Sequence, residues 1–366
     1  MLSNLLLLGA VALTTINAQG FAFKETYPEP GVIPTAKPEW LALLSSANIT
    51  DAPVLKVTPG KGPEPQTEGD PYCDWSFTGC FGKEDLYQCP KGQWAPTYDD
   101  GPSEFSGKLY DELDKTNTKA TFFMVGGQVV KFPDLTLRAY KAGHELAMHT
   151  WSHNYMTSLT NEQIVAELKW NELVIKEVTG VSPRFFRPPY GDIDNRVRDV
   201  AKALGFTAVI WTHDTNDWSL TENPNFEASW IDGNVTQWAS EAATATTGGV
   251  SLEHDLYNVT VDAAVRVLPT FLKAFKVTTV GNCNQQASYK EGGIAGSNAT
   301  TSASASASSA SASASTSSTA SGSSGVKAAD ASSSAEAQAA KNAAGTLTAG
   351  FLGVGLTTLL AISLSA

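Results

Sequence analysis

The chain has 366 residues and a formal net charge of −12. This acidic balance excludes nucleic-acid-binding proteins that depend on a basic face, and no arginine-rich stripe supplies one. Only 17% of the residues are charged, and several terminal stretches differ sharply in composition from the middle of the chain. The chain is therefore best divided into regions before its elements are considered.

Residues 1–18 have the layout of a secretory signal peptide. A short polar start is followed by an apolar run from Leu5 to Leu13 and by small residues near Ala18. Residues 19–88 are rich in Pro and Gly, and we expect an irregular N-terminal extension there.

Residues 89–285 alternate short runs rich in Val, Ile, Phe and Thr with amphipathic helical patterns. The predicted strands are KATFFMV, HELAMHT, RFFRPPY, TAVIWTHD and GGVSLEHD. The clearest helix begins at Thr160 and ends at Gly180, and two more are predicted in DNRVRDVAKALGF and TVDAAVRVLPTFLKAF, where Pro269 is unfavourable. Repeated strand–helix units predict a parallel sheet, either open or closed into a barrel, and about two hundred residues suit one such domain.

The C-terminal region is predicted to contain no packed core. Residues 286–342 are rich in Ser and Ala, which indicates a disordered, O-glycosylated stalk. Residues 343–366 are apolar to the end and lack a basic flank, as in the removed signal for a GPI anchor, with Asn342 as a candidate attachment residue. The alternative is a transmembrane helix, for which the apolar tail is short.

Two residue patterns fit passage through the secretory route. Four Asn-x-Ser/Thr sites are candidates for N-glycosylation: Asn48, Asn234, Asn258 and Asn298. The four cysteines are Cys73, Cys80, Cys89 and Cys283, for which we expect disulfides in an oxidising compartment. Three pairings are possible. Cys89–Cys283 would tie the two ends of the domain together and leave Cys73–Cys80 as a small loop.

A metal site is indicated by His149 and His153, which lie four residues apart. The pair alone would more often be two surface or capping histidines. With Asp100 as a third ligand, it becomes the open three-ligand site of a catalytic divalent cation. Zinc is the first expectation, and cobalt is an alternative.

Asp99, next to Asp100 in TYDDGP, is a candidate general base. Neighbouring carboxylates on a loop point to different sides, so Asp100 can bind the cation while Asp99 faces an attacking water. The cation and a nearby arginine would offset the repulsion between the two charges. The alternative is an Asx turn before Gly-Pro.

The motifs TYDDGP, HTWSH, RPPYG, DTNDW and LEHD occur in this order between Gln93 and Cys283. They resemble the five signatures of the polysaccharide deacetylase family, also called the NodB homology domain or carbohydrate esterase family 4. The chain is most similar to the fungal chitin deacetylases. The resemblance implies a distorted (β/α) barrel and metal-dependent removal of acetyl groups from N-acetylglucosamine polymers.

The resemblance also implies roles for individual residues. Asp99 matches the base and contacts substrate, and Asp100, His149 and His153 match the metal ligands. Arg187 orients the base, His254 is the general acid, and Asp214 orients that acid. The substrate-binding residues are Tyr190, through its backbone N–H at the developing oxyanion, Leu252 in the acetyl pocket, and Trp218 as an apolar wall on which a sugar can stack.

The expected function is hydrolysis of the linear amide bonds of chitin to give chitosan and acetate, by a GPI-anchored monomer at the plasma membrane or cell wall. Chitin is the expected partner, and the membrane is contacted only through the anchor. Two alternatives stay open. One is a deacetylase for another acetylated polysaccharide, such as acetyl-xylan or peptidoglycan, and the other is an inactive, wall-anchored chitin-binding protein.

Overall fold

A computed structural model describes residues 21–65 and 68–296. The predicted signal peptide, most of the stalk, the GPI signal, Asn298 and Asn342 lie outside these residues. Within them, the strands and helices alternate through most of the chain.

The strands are β1 (Val57–Thr58), β2 (Gly62–Pro63), β3 (Gln88–Pro90), β4 (Gln93–Asp99), β5 (Thr121–Met124), β6 (Glu145–Met148), β7 (Phe185–Phe186), β8 (Thr207–Ala208), β9 (His213–Asp214), β10 (Thr247–His254) and β11 (Lys276–Val277). The α-helices are α1 (Pro38–Leu41), α2 (Trp75–Thr78), α3 (Ser106–Lys115), α4 (Gly126–Lys131), α5 (Pro133–Lys141), α6 (Asn161–Thr179), α7 (Asn195–Ala203), α8 (Ser219–Glu222), α9 (Ala228–Glu241), α10 (Asn258–Ala274) and α11 (Val280–Cys283). Short 3₁₀ turns cover Ala42–Leu44, Met156–Ser158 and Pro189–Gly191.

The central sheet is curled and almost entirely parallel. Its order is β3-β10-β4-β5-β6-β7-β8, with β9 paired to β10 and β11 paired to β4, and only β3 runs antiparallel to its neighbour. Leu86, just before β3, forms a parallel bridge with Val209, just after β8, so the two edges of the sheet approach each other. The predicted distorted (β/α) barrel is confirmed.

Apolar side chains fill both faces of this sheet. The interior cluster contains one residue from each of β4, β5, β6, β7 and β10, together with Val209 just after β8: Ala95, Phe123, Ala147, Phe185, Val250 and Val209. A larger cluster packs the outer face against the helices, and a third surrounds Trp94 under α9 and α10. A strand with apolar neighbours on both faces reads as a continuous apolar run, which is why the sequence located β5, β6 and β10.

The predicted helix between Thr160 and Gly180 is confirmed as α6. Thr160 and Gln163 form a reciprocal capping box, and Gly180 ends the helix in the left-handed conformation with φ 86°. The other two predicted helices are α7 and α10, and Pro269 lies within α10 without ending it.

Both disulfides form between the predicted partners. Cys73 and Cys80 close a short loop around α2, and Cys89 joins β3 to Cys283 at the end of α11. The packed chain continues past the expected boundary at 285, because the Ser288 hydroxyl donates to Glu145 and Tyr289 is buried. The residues of 286–296 therefore belong with the barrel.

Three of the four predicted N-glycosylation sites lie within the described residues. Asn48 and Asn258 are exposed, whereas the Asn234 amide is partly buried and donates to the carbonyl of Thr215 at 3.4 Å. Over residues 21–65 and 68–296, every helix is too short or too polar to form a membrane span.

Candidate active site

The candidate residues meet at the carboxyl edge of the parallel sheet. Asp99 ends β4, His149 follows β6, Arg187 follows β7 and His254 ends β10. Because parallel strands present their carboxyl ends at the same edge, residues far apart in sequence are brought together there. β4 and β10 are adjacent, and His254 lies in register with Asp99.

Asp100, His149 and His153 form the one group among the described residues whose ligand atoms could hold a metal ion. Asp100 Oδ1 lies 3.4 Å from His149 Nε2 and 3.1 Å from His153 Nε2. Two ligands about 2 Å from the same tetrahedral centre should be about 3.3 Å apart, so the spacing fits a zinc-sized cation.

The tautomer of His149 and the unpaired oxygen of Asp100 also suit a cation. His149 Nδ1 lies 2.8 Å from the carbonyl oxygen of Arg187, which can only accept, so Nδ1 carries the proton and Nε2 keeps its lone pair. Asp100 Oδ1 is buried and has no hydrogen-bond partner of good geometry. Burial opposes ionisation of Asp100, but His153 and His149 hold its pKa well below the usual value. The three residues present fit a divalent cation.

The backbone of the site is held in uncommon conformations. Asp100, Thr150, His153, Tyr190 and Asn216 all have positive φ, between 58° and 74°. Such residues cost about 1–3 kcal/mol each and persist only where their surroundings hold them. For the histidine loop, Glu167 of α6 provides that support, accepting from the backbone N–H groups of Trp151 at 2.7 Å and Ser152 at 2.9 Å.

Asp99 is held by a buried arginine. Arg187 Nη1 donates to Asp99 Oδ1 at 2.8 Å and to the Thr97 hydroxyl at 2.6 Å. The guanidinium lies over the Phe123 ring, 4.1 Å from its centroid. Burial lowers the pKa of Arg187, against the effect of Asp99, but a guanidinium stays charged at neutral pH. The other oxygen of Asp99 faces the metal ligands, 3.7 Å from His149 Nε2.

The carboxylate that contacts His254 is Asp217, which corrects the assignment of Asp214. Asp217 Oδ1 accepts from His254 Nδ1 at 2.7 Å, and Asp217 Oδ2 accepts from the backbone N–H of His254 at 2.8 Å. Asp214 instead accepts from the N–H of Asn216, whose left-handed backbone turns Asp217 toward β10. Burial disfavours the imidazolium of His254, but Asp217 outweighs it and raises the pKa to about 10.

The predicted substrate-binding residues differ in exposure. Leu252 is almost buried on β10, Trp218 is 41% exposed, and the Tyr190 side chain is 51% exposed. Tyr190 has φ 60° within a tight turn, and its ring lies edge-on to His153 with the centroids 4.8 Å apart.

Sequence reasoning missed several residues that support the site. Besides Asp217, Glu167 and Thr97, it missed Asp255, whose backbone N–H donates to the carbonyl of Asp99 at 3.2 Å. A Cβ on Gly101 would lie 2.2 Å from Asp255 Oδ1, so only glycine fits beside this carboxylate. The one available signal was that four of the five motifs contain or adjoin an Asp or Glu, and it does not show which acid faces inward.

Comparison with known proteins agrees with this geometry. The profile of the polysaccharide deacetylase family matches residues 87–209. Chitin deacetylase 1 of Cryptococcus neoformans var. grubii is 38% identical over 72% of this chain and 59% of its own length. Chitin deacetylase 1 of Saccharomyces cerevisiae is 35% identical over 65% of this chain and 74% of its own length.

Among solved structures, the chitin deacetylase of the fungal pathogen Colletotrichum lindemuthianum matches with a TM-score of 0.51 and 25% identity, over 57% of this chain and 96% of that chain. The chain therefore belongs to the polysaccharide deacetylase family. It spans about three fifths of the length of the first curated relatives it matches.

Proposed function

We propose that this chain is a metal-dependent chitin deacetylase, which hydrolyses the N-acetyl groups of N-acetylglucosamine residues to give chitosan and acetate. The observation that carries the proposal is the placement of Asp99 and His254. They lie in register on neighbouring strands beside the three ligands, and each is paired with a group that suits its role. The names of the fungal relatives support chitin as the substrate.

Asp100, His149 and His153 would hold the divalent cation, with zinc as the first choice and cobalt as an alternative. When bound, it supplies Lewis-acid activation of water and of the acetamide carbonyl. Tyr190 would add a backbone N–H toward the developing oxyanion, a contribution often worth about 3 kcal/mol for one donor.

Asp99 would remove the proton from the attacking water. Arg187 fixes one of its oxygens and leaves the other directed toward the ligand cluster, so the base is oriented without being blocked. The Thr97 hydroxyl accepts a hydrogen bond from the same guanidinium nitrogen, which limits the movement of Arg187.

His254 would protonate the departing amine, because an amide nitrogen leaves poorly without a proton. With its pKa raised to about 10, the imidazolium is present at neutral pH. Asp217 accepts a hydrogen bond from the Nδ1–H of His254, so the Nε2 proton of the imidazolium stays available for transfer to the substrate. Leu252 would line the acetyl pocket, and Trp218 would contact a sugar face.

We propose that the enzyme acts outside the cell, attached through a GPI anchor at the plasma membrane or wall. The two disulfides support an oxidising compartment. Truncation before Gly350 should release soluble, active protein into the medium. Retention of the truncated protein on the cell would show that something else tethers it.

Acetate release from chitin oligomers, measured before and after chelation, tests the activity. We expect loss with chelator, recovery with zinc or cobalt, and no turnover by His254→Ala at any metal concentration. Faster release from acetyl-xylan or peptidoglycan would assign another substrate. Chitin binding that is equal with and without chelator, with no acetate released, would indicate a binding protein.

A further inference from the structure

A disulfide-closed loop of the N-terminal extension lies against the Tyr190 turn, which is the 3₁₀ turn Pro189–Gly191. Cys73 and Cys80 close this loop around α2, and both precede the residues that the family profile matches. The guanidinium of Arg198 on α7 donates to the carbonyl of Cys73 at 2.6 Å and to the carbonyl of Cys80 at 3.1 Å. The loop is therefore fixed to the barrel at both of its ends.

Two backbone hydrogen bonds join the Cys73–Cys80 loop and the residue before it to the chain that follows the Tyr190 turn. The N–H of Trp75 donates to the carbonyl of Ile193 at 3.1 Å. The N–H of Asn195 donates to the carbonyl of Tyr72 at 2.8 Å. The chain that leaves the turn is therefore held by the backbone of the extension.

The side chain of Trp75 packs directly on the Tyr190 turn. A Cβ built on Gly191 would lie 2.3 Å from the Trp75 ring and 3.0 Å from the Trp211 ring, so Gly191 lies between the two indoles. The two rings contact each other, with their centroids 4.6 Å apart. The centroid of Trp211 lies 5.5 Å from the guanidinium carbon of Arg187, which holds the proposed base. One indole of the extension thus contacts the turn and the ring behind Arg187.

The Tyr190 turn needs support from its surroundings because its backbone conformation is uncommon. Tyr190 has φ 60° and Gly191 has φ 69°, and only glycine adopts this left-handed region readily. Another residue persists there where neighbouring contacts hold it. One such contact comes from the histidine loop, where the N–H of Thr157 donates to Asp192 at 2.7 Å. The contact that the disulfide-closed loop provides is Trp75.

We infer that the Cys73–Cys80 loop is a positioning element of the active site, in which Trp75 fixes the Tyr190 turn so that its backbone N–H faces the reacting acetamide. The inference rests on the proposed function, which gives this N–H the role of oxyanion donor. Such a donor contributes mainly in the transition state, so its displacement lowers kcat and changes substrate binding little. Trp75 acts through the turn and touches no reacting atom.

Replacement of Trp75 tests this role. Trp75→Leu removes the flat ring and keeps an apolar side chain, and we expect kcat on chitin oligomers to fall about tenfold, with KM changed less than about twofold. Trp75→Phe returns a ring to the face of Gly191 and should recover most of the loss. The matched control is Trp238→Leu, because Trp238 is also partly buried but packs on Trp94 at the amino end of β4. This control should lose stability and keep the parental kcat.

A second variant opens the loop and leaves the indole in place. The double substitution Cys73→Ser and Cys80→Ser should lower kcat about threefold, and it decides the matter if Trp75→Leu fails to fold. Parental kcat in the folded variant would overturn the inference. So would an equal loss of kcat in Trp238→Leu, or a rise in KM alone, which would place Trp75 in contact with substrate.

Amide hydrogen exchange separates this outcome from failure of the proposed function. Exchange over residues 188–195 would be compared in the full-length parent and in Trp75→Leu, with zinc added, because this measurement needs no turnover. Faster exchange in the variant, together with a parent that releases no acetate, would retain the positioning element and lose the deacetylase. Equal exchange in parent and variant would overturn the positioning role, whether or not acetate is released.

Discussion

Asp99 and Glu145 are both buried carboxyl groups on the central sheet, but they lie at opposite ends of it. Asp99 ends β4 and is 2% exposed, and Glu145 begins β6 and is fully buried. Asp99 is paired with the guanidinium of Arg187. Glu145 accepts from neutral donors, namely the hydroxyls of Thr121 and Ser288 and the backbone N–H of Gly281.

The different partners of Asp99 and Glu145 suit different roles, Asp99 in the proposed chemistry and Glu145 in stability. The guanidinium of Arg187 fixes one oxygen of Asp99 and leaves the other directed toward the candidate metal ligands, an arrangement that suits proton transfer. Neutral donors only partly offset the loss of hydration, so burial raises the pKa of Glu145. Its contacts join the amino end of the barrel to α11 and the chain after it, as expected for the end of a barrel that provides stability.

The largest effect is expected for Asp99→Asn. Asparagine keeps the shape and can still accept from Arg187, but it cannot take up a proton, so turnover should fall about 10³-fold. Acetate release and thermal unfolding would be measured together. The control is Glu104→Gln, a substitution of an exposed residue. Near-parental turnover in Asp99→Asn would remove this residue from the role of base.

The acid side of the site can be tested with two neighbouring aspartates. Asp217→Asn should reduce turnover about 10²-fold, because it leaves His254 without the carboxylate that orients it. Since Asp217 raises the pKa of His254, which must act protonated, its loss should also move the alkaline decline of the pH–rate profile to lower pH. Asp214→Asn should leave that decline in place, and the reverse pattern would restore the original assignment of Asp214.

Much of this architecture was accessible from the sequence. The apolar runs located the main strands, the capping residues located α6, and the five motifs located most of the candidate site residues at or near strand ends. Parallel strands present their carboxyl ends at the same edge of a sheet, so strand direction alone predicts which residues lie close together. These residues are Asp99, Asp100, His149, His153 and His254.

Other features depend on contacts that the sequence does not record. Asp214 and Asp217 are equally acidic, and the left-handed turn at Asn216 decides which one meets His254. The extension before β3 looked irregular because its order comes from packing on α6 and on the histidine loop. Tyr27 illustrates this, since its hydroxyl donates to Glu177 and its ring stacks on Trp151.

A smaller effect, on stability alone, is expected for Glu145→Ala. The substitution leaves the Gly281 N–H and two hydroxyls without their acceptor, so the free energy of unfolding should fall by about 3 kcal/mol. Chemical denaturation measures this change, and Glu104→Ala serves as an exposed control. Acetate release by the folded fraction should stay parental. A loss of turnover without a loss of stability would contradict the division between the two ends of the barrel.

The smallest effect is the pH dependence that Glu145 contributes. Its pKa is raised in the folded protein, so the folded state holds this proton more tightly than the unfolded chain does. The resulting stabilisation is fully present below the unfolded pKa of about 4.3, and it is lost as pH rises through the folded value. Glu145→Gln cannot titrate, so the difference in unfolding free energy between parent and variant should shift against the parent as pH rises. A difference that shifts in the parent's favour over this range would mean that Glu145 is held as a carboxylate and that burial does not raise its pKa.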